Sequence, residues 1–142
     1  MGYTHYYKGK VVLNPATLLK VNRIIQTAEA QGTEVCGWDG EGKPEVTAEK
    51  ISLNGTSVDD LGHESFIVTP GSDFSFCKTA RKPYDAVVGA ILILLAELNR
   101  GFTVSSDGEW EGGWPEGLGD WGAPKALYLA TFGTEPNNPL SE

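Results

Sequence analysis

Phe74-Ser75-Phe76-Cys77-Lys78-Thr79, then Ala80-Arg81-Lys82-Pro83-Tyr84-Asp85, then Ala86-Val87-Val88-Gly89-Ala90-Ile91-Leu92-Ile93-Leu94-Leu95-Ala96-Glu97-Leu98-Asn99-Arg100 is the stretch that decides the fold. Its first six residues alternate as a half-buried strand does, and Lys78 to Lys82 form a basic turn. Pro83 suits a helix start. Val87, Val88, Ile91, Leu92, Leu94, Leu95 and Leu98 then predict a helix from Tyr84 to Arg100 that is apolar on most faces and deep in the core. Strand, turn and buried helix in so short a span point to an α+β domain.

Working outward, Tyr3 to Leu13 is rich in aromatic and β-branched residues and reads as a strand ending at Asn14-Pro15, an N-cap followed by proline. Leu18, Leu19, Val21, Ile24, Ile25 and Ala28 recur at helical spacing, so a helix is expected from about residue 15 to 31, stopped by Gly32. Cys36 to Pro44 is turn-rich and reads as a surface loop. Lys50 to Asn54 reads as a half-buried strand and Glu64 to Val68 as another, closed by Pro70-Gly71. After Gly101, Phe102 to Ser106 makes a final strand. Trp110, Trp114 and Trp121 then lie among glycines, with Trp121 packing over the sheet, before a short helix over Pro124 to Thr131. The expected assembly is a single, mostly antiparallel sheet of about five strands with two main helices and a short C-terminal one. Residues 1–134 form one domain and 135–142 a frayed tail.

A chain of 142 residues is long enough for one hydrophobic core without disulfides or metals. The formal charge of -8 argues against general affinity for DNA or RNA, whose binding rests on Lys and Arg neutralising phosphates. From Ser105 onward seven acids face one base, Lys125, while the preceding part holds ten bases and twelve acids. A local basic site therefore suits a compact anion better than a polymer. Cys36 and Cys77 read as free thiols. The opening residues have no apolar signal core and the longest apolar run, Ala86 to Ala96, is too short to span a bilayer, so the cytoplasm is the expected compartment.

The basic turn supplies the leading chemistry. Amides at a helix start are unpaired and lie at the positive end of the dipole, so Lys78, Arg81 and Lys82 beside one make an anion site, with Arg81 best suited to grip two phosphate oxygens. The competing reading is solvated bases paired with acids such as Asp85. His5 and His63, the chain's two histidines, can serve as base and acid in metal-free phosphodiester cleavage if their strands are neighbours, with Lys78 stabilising the pentacoordinate phosphate. Otherwise each is a hydrogen-bonded structural histidine. A metal reading would use His5, His63, Glu64 and Asp107, but their spacing matches no zinc or calcium pattern, and no metal or cofactor is assigned. Cys77 lies near bases that favour a thiolate, yet its alternation also turns it into the core, which is the preferred reading. Tyr3, Tyr6, Tyr7, Trp38, Trp110 and Trp114 offer flat faces on which a base can stack.

The opening Met1-Gly2-Tyr3-Thr4-His5-Tyr6, the central Gly62-His63-Glu64-Ser65-Phe66, the string Phe76 to Asp85 and Ser105-Ser106-Asp107-Gly108 together resemble a family of small phage and bacterial proteins whose biochemistry the resemblance leaves open. Many relatives have tryptophan where this chain has Tyr7. The phage setting implies an analogy, of setting and not of motif, with viral proteins that sequester or cleave nucleotide signals of bacterial defence. The leading expectation is therefore a protein that captures a phosphorylated nucleotide signal, a cyclic dinucleotide or ADP-ribose derivative. Its ligand-binding set is Tyr3, His5, Tyr7, His63, Lys78, Arg81, Lys82, Asp107 and Trp110. The alternatives are a metal-independent phosphodiesterase using His5 and His63, and a structural or protein-interaction domain. The expected partner is a small anionic nucleotide rather than a nucleic-acid polymer or a membrane, and a homo-oligomer is compatible with the sequence.

Overall fold

The computed structural model describes residues 2–71, 73–111 and 120–141. In chain order they form β1 (Thr4–Lys8), α1 (Pro15–Ala30), β2 (Val35–Cys36), β3 (Glu45–Val46), β4 (Ile51–Gly55), a 3-10 turn (Val58–Asp60), β5 (Phe66–Val68), β6 (Ser75–Lys78), α2 (Asp85–Leu98), β7 (Thr103–Ser106) and α3 (Gly122–Phe132). The class is α+β, as expected.

The strands divide between two antiparallel sheets rather than sharing one. β1 lies between β6 and β7, while β4 pairs with β2, β3 and β5. The short strands β2 and β3 flank the loop read from the Cys36 to Pro44 stretch, and Cys36 itself is buried in β2. They escaped the sequence reading because two residues are too few to show a period.

α1 begins where Asn14 and Pro15 predict: the Asn14 side chain accepts from the Thr17 amide at 2.9 Å and caps the first turn. α2 packs against both α1 and α3, which explains why it carries no polar face. α3 approaches α2 closely at Gly89, where a Cβ would stand 2.5 Å from the Pro124 ring. α2 starts at Asp85, two residues after Pro83, because residues 79–85 wind through tighter turns first: the Lys82 amide donates to Thr79 and the Asp85 amide to Lys82.

β4 is buried along its whole length, not on one face only. Ile51 and Leu53 enter the core, and Asn54 is covered by the loops it fastens. Its side chain donates to the Trp38 and His63 carbonyls and accepts from the Gly55 and His63 amides. The tail expected to fray is docked: Leu140 bridges Val104, and the Ser141 amide donates to the Val104 carbonyl at 2.8 Å.

Candidate functional site

Tyr3, just before β1, and His5 and Tyr7 within it are buried. The strand register sets His5 opposite Cys77 of β6 and Ser106 of β7, and the first turn of α2 brings Asp85 to the same place. His5 is 0% exposed. Its Nε2 is 2.6 Å from Asp85 Oδ1, which also accepts from the Thr79 hydroxyl at 2.6 Å, and its Nδ1 is 2.8 Å from Ser106 Oγ. Ser106 Oγ in turn accepts from the Gly108 amide at 2.9 Å and from the Trp121 indole at 3.3 Å.

These partners define one consistent proton arrangement. Two N–H donors occupy the acceptor positions of Ser106 Oγ, so its own proton goes to His5 Nδ1, and His5 Nε2–H donates to the Asp85 carboxylate. The order serine, histidine, aspartate resembles an activated nucleophile. Here, however, both lone pairs of the serine oxygen are engaged and the imidazole has no open nitrogen. The chain of bonds is a clamp joining β1, β7, α2 and the segment before α3. The carboxylate also sits favourably at the positive end of α2.

Through His5 and Trp121 of the clamp runs a ladder of rings with a cation at each end. Arg81 lies 4.0 Å from the Tyr3 ring centroid, Tyr3 meets His5 edge-on at 5.1 Å, and His5 packs on Trp121 at 4.8 Å. Trp121 packs on Trp110 at 5.9 Å, and Lys125 Nζ lies 4.5 Å from the Trp110 ring. Tyr3 also approaches Gly108 so closely that a side chain there would collide with its hydroxyl. Arg81 Nη1 donates to Asp120 Oδ1 at 2.9 Å, and the Glu109 amide donates to the other oxygen of that carboxylate.

The basic turn does not converge on one anion. Ala80 and Arg81 both take left-handed backbone conformations, φ 52° and 60°, held by the Thr79 and Ala80 amides donating to the Tyr3 carbonyl. That conformation sends Arg81 to Tyr3 and Asp120, and Lys82 to Asp60 at 3.3 Å, while Lys78 lies along Gly2. Nor is the helix start open. The amides of Asp85, Ala86 and Val87 donate to the carbonyls of Lys82, Pro83 and Tyr84. Of the three bases, Arg81 has a side chain that is 55% exposed and a guanidinium held by Tyr3 and Asp120.

The two histidines do not share a site. His63 is exposed and lines a separate polar cleft of about 310 Å³ with Asp39, Asn54, Ser57 and Asp60, beside Lys82. The proposed base and acid pair is therefore not assembled, because β1 and the residues leading into β5 belong to different sheets. The metal set is likewise scattered. Asp107 accepts from the Thr4 amide and the Tyr6 hydroxyl, Glu64 accepts from the Lys78 amide, and among the described residues no group of three or more His, Cys, Asp or Glu is placed to hold a metal ion.

Tyr7 is a core residue, not a stacking platform: it packs on Phe66 and Phe102 and donates to the Ile67 carbonyl at 2.8 Å. Trp110 is half-buried in the ladder, and Trp114 lies outside the described residues. Cys77 is buried, and desolvation pushes its thiol up to about 12, so it is an apolar core group.

The sequence reading missed Thr79, Ser106, Asp120 and the role of Asp85. One signal was available for Asp85: a carboxylate beginning an otherwise apolar buried helix must find a hydrogen-bonded partner. Set against known protein families, curated proteins and solved structures, the chain has no match. No helix among the described residues is long and apolar enough to cross a membrane.

Proposed function

We propose that the protein binds and sequesters a phosphorylated nucleotide signal, with Arg81 as the phosphate-gripping group. The observation that carries this reading is the state of Arg81. Its guanidinium is stacked on Tyr3 and tied through one nitrogen to Asp120, while the side chain as a whole is 55% exposed. Its fork is thus preorganised, which reduces the ordering cost of gripping two phosphate oxygens. Lys125 at the other end of the ladder adds a second cation, held over the half-buried Trp110 ring.

Capture needs affinity alone. Cleavage by His5 and His63 would need two imidazoles that lie apart, one of them saturated by Asp85 and Ser106. In the phage setting that the resemblance implies, the ligand is a cyclic dinucleotide or ADP-ribose derivative of a bacterial immune pathway, held in the host cytoplasm.

The test is incubation of the purified protein with a panel of these nucleotides, with and without chelator, followed by analysis before and after heat denaturation. Depletion of free ligand and its intact release by heat supports sequestration; new products without metal, or free ligand unchanged across the panel, rejects it. Arg81→Ala is expected to abolish capture while the fold persists.

A further inference from the structure

The aromatic surface on the opposite face of the three-stranded sheet is unexplained by the Arg81 rim. Phe74 and Phe76 are 62% and 53% exposed, and Tyr6 lies opposite Phe76 across the strands. Exposed aromatic rings packed on one another are uncommon unless they meet something. The Tyr6 and Phe74 rings are nearly parallel, 22° between planes with centroids 6.2 Å apart, and Phe76 extends the wall at 6.2 Å from Phe74.

Beside that wall is a slot of about 210 Å³. Its other boundaries are mixed: Tyr7 and Val104 contribute, together with the polar Lys8 of β1, Thr103 and Ser105 of β7, and Ser141 of the docked tail. We infer that this slot between the Tyr6–Phe74 wall and the hydroxyl-bearing edge of β7 is a subsite for a planar heteroaromatic ring, the base of a nucleoside.

Three features match that chemistry. The wall offers flat faces, and stacking on such faces tolerates any base. The polar lining offers the hydroxyls of Thr103, Ser105 and Ser141 and the Lys8 ammonium, able to donate to and accept from the polar edge of a base but of no use to a purely apolar ring. One ring of the wall is fixed and the other adjustable. The Tyr6 hydroxyl donates to Asp107 Oδ1 at 3.2 Å, so this ring is held, whereas the Phe74 side chain is 62% exposed and can adjust to a ring seated in the slot. The net charge of -8 excludes a long single strand as the occupant and leaves a mononucleoside or a small nucleotide.

The subsite does not depend on Arg81, and a probe without phosphate separates the two. Adenosine, guanosine, cytidine and uridine titrated into the 15N-labelled protein at millimolar concentration are expected to shift the amides of Tyr6, Lys8, Phe74 and Ser105. Phe74→Ala should weaken that binding about 10-fold or more, Ser105→Ala should change the preference among bases, and Arg81→Ala should leave nucleoside binding unchanged. The inference is overturned if no nucleoside moves these amides, if Phe74→Ala leaves the affinity as it was, or if sedimentation shows that Phe74→Ala with Phe76→Ala converts an oligomer to a monomer, which would make the face a protein interface. Loss of phosphate-dependent capture with nucleoside binding retained would reject the Arg81 site alone.

Discussion

His5 and His63 look alike along the chain, each beside a strand and each in polar company, but the folded protein treats them as different kinds of residue. His5 sits in the middle strand of its sheet with an aspartate on one nitrogen and a serine on the other. His63 sits in a loop where its backbone, not its imidazole, is gripped by Asn54. One histidine is a structural joint and the other is a surface group in a cleft. The contrast teaches that a histidine's chemistry depends on how many of its nitrogens the fold leaves open. Buried polar groups that satisfy one another completely rigidify a core and have no capacity left for a ligand.

The largest test of that contrast is His5→Ala against His63→Ala. The first leaves the Asp85 carboxylate buried without its imidazole and Ser106 without its acceptor, and is expected to cost about 3–5 kcal/mol in urea unfolding. The second should stay within about 0.5 kcal/mol. Equal effects would break the comparison.

Asn54→Ala comes next, because it removes the side chain that holds His63 in place. It should cost roughly 2–3 kcal/mol by freeing buried amides and carbonyls, and amide exchange at His63 should accelerate while exchange at His5 does not.

A pH test distinguishes the buried side by charge. Cys77, the cross-strand neighbour of His5, has its thiol raised from an ordinary 9.0 to about 12 by burial. Between those values the unfolded chain releases the proton and the folded one keeps it, so stability is full below pH 9 and falls as pH rises, with a limiting slope of about 1.4 kcal/mol per unit. The buried phenols of Tyr7 and Tyr84, also raised by desolvation, add to the loss above pH 10. The urea midpoint measured from pH 8 to 10 should decline in the parent chain, and Cys77→Ala should flatten it between pH 9 and 10.

A small change in stability is also expected at Arg81. Its ion pair with Asp120 is solvent-exposed on the arginine side, so Arg81→Ala should alter stability by less than about 1 kcal/mol even as it removes ligand capture. A larger loss of stability would assign Arg81 to the scaffold.

Much of the fold is legible in the residues. Asn14-Pro15 and the spacing from Leu18 to Ala28 mark α1, and the apolar run after Tyr84 marks a helix buried on nearly all sides. The burial of Cys77 follows from its alternation with Phe76 and Lys78. The site is less legible. Arg81 and Tyr3 come together as a stack, but no feature of their surroundings in the chain shows that Lys82 turns to Asp60 instead, or that Ser106 and Asp85 close on His5. The two consecutive left-handed residues that aim the turn are alanine and arginine, types that carry no turn signal.

The sequence by itself determined the main elements: the capped start of α1, the apolar faces of α1 and α2, and that an α+β core forms. Those properties depend on side chains three or four residues apart in a helix, or two apart in a strand, and such spacings are written locally. The tertiary structure alone decided that the strands fall into two sheets, that the basic turn separates into three partnerships, and that one histidine is saturated while the other faces a cleft. Those outcomes depend on residues 80 and 101 positions from His5, brought within hydrogen-bond distance by strand pairing and helix packing. No local period encodes a partner that far along the chain.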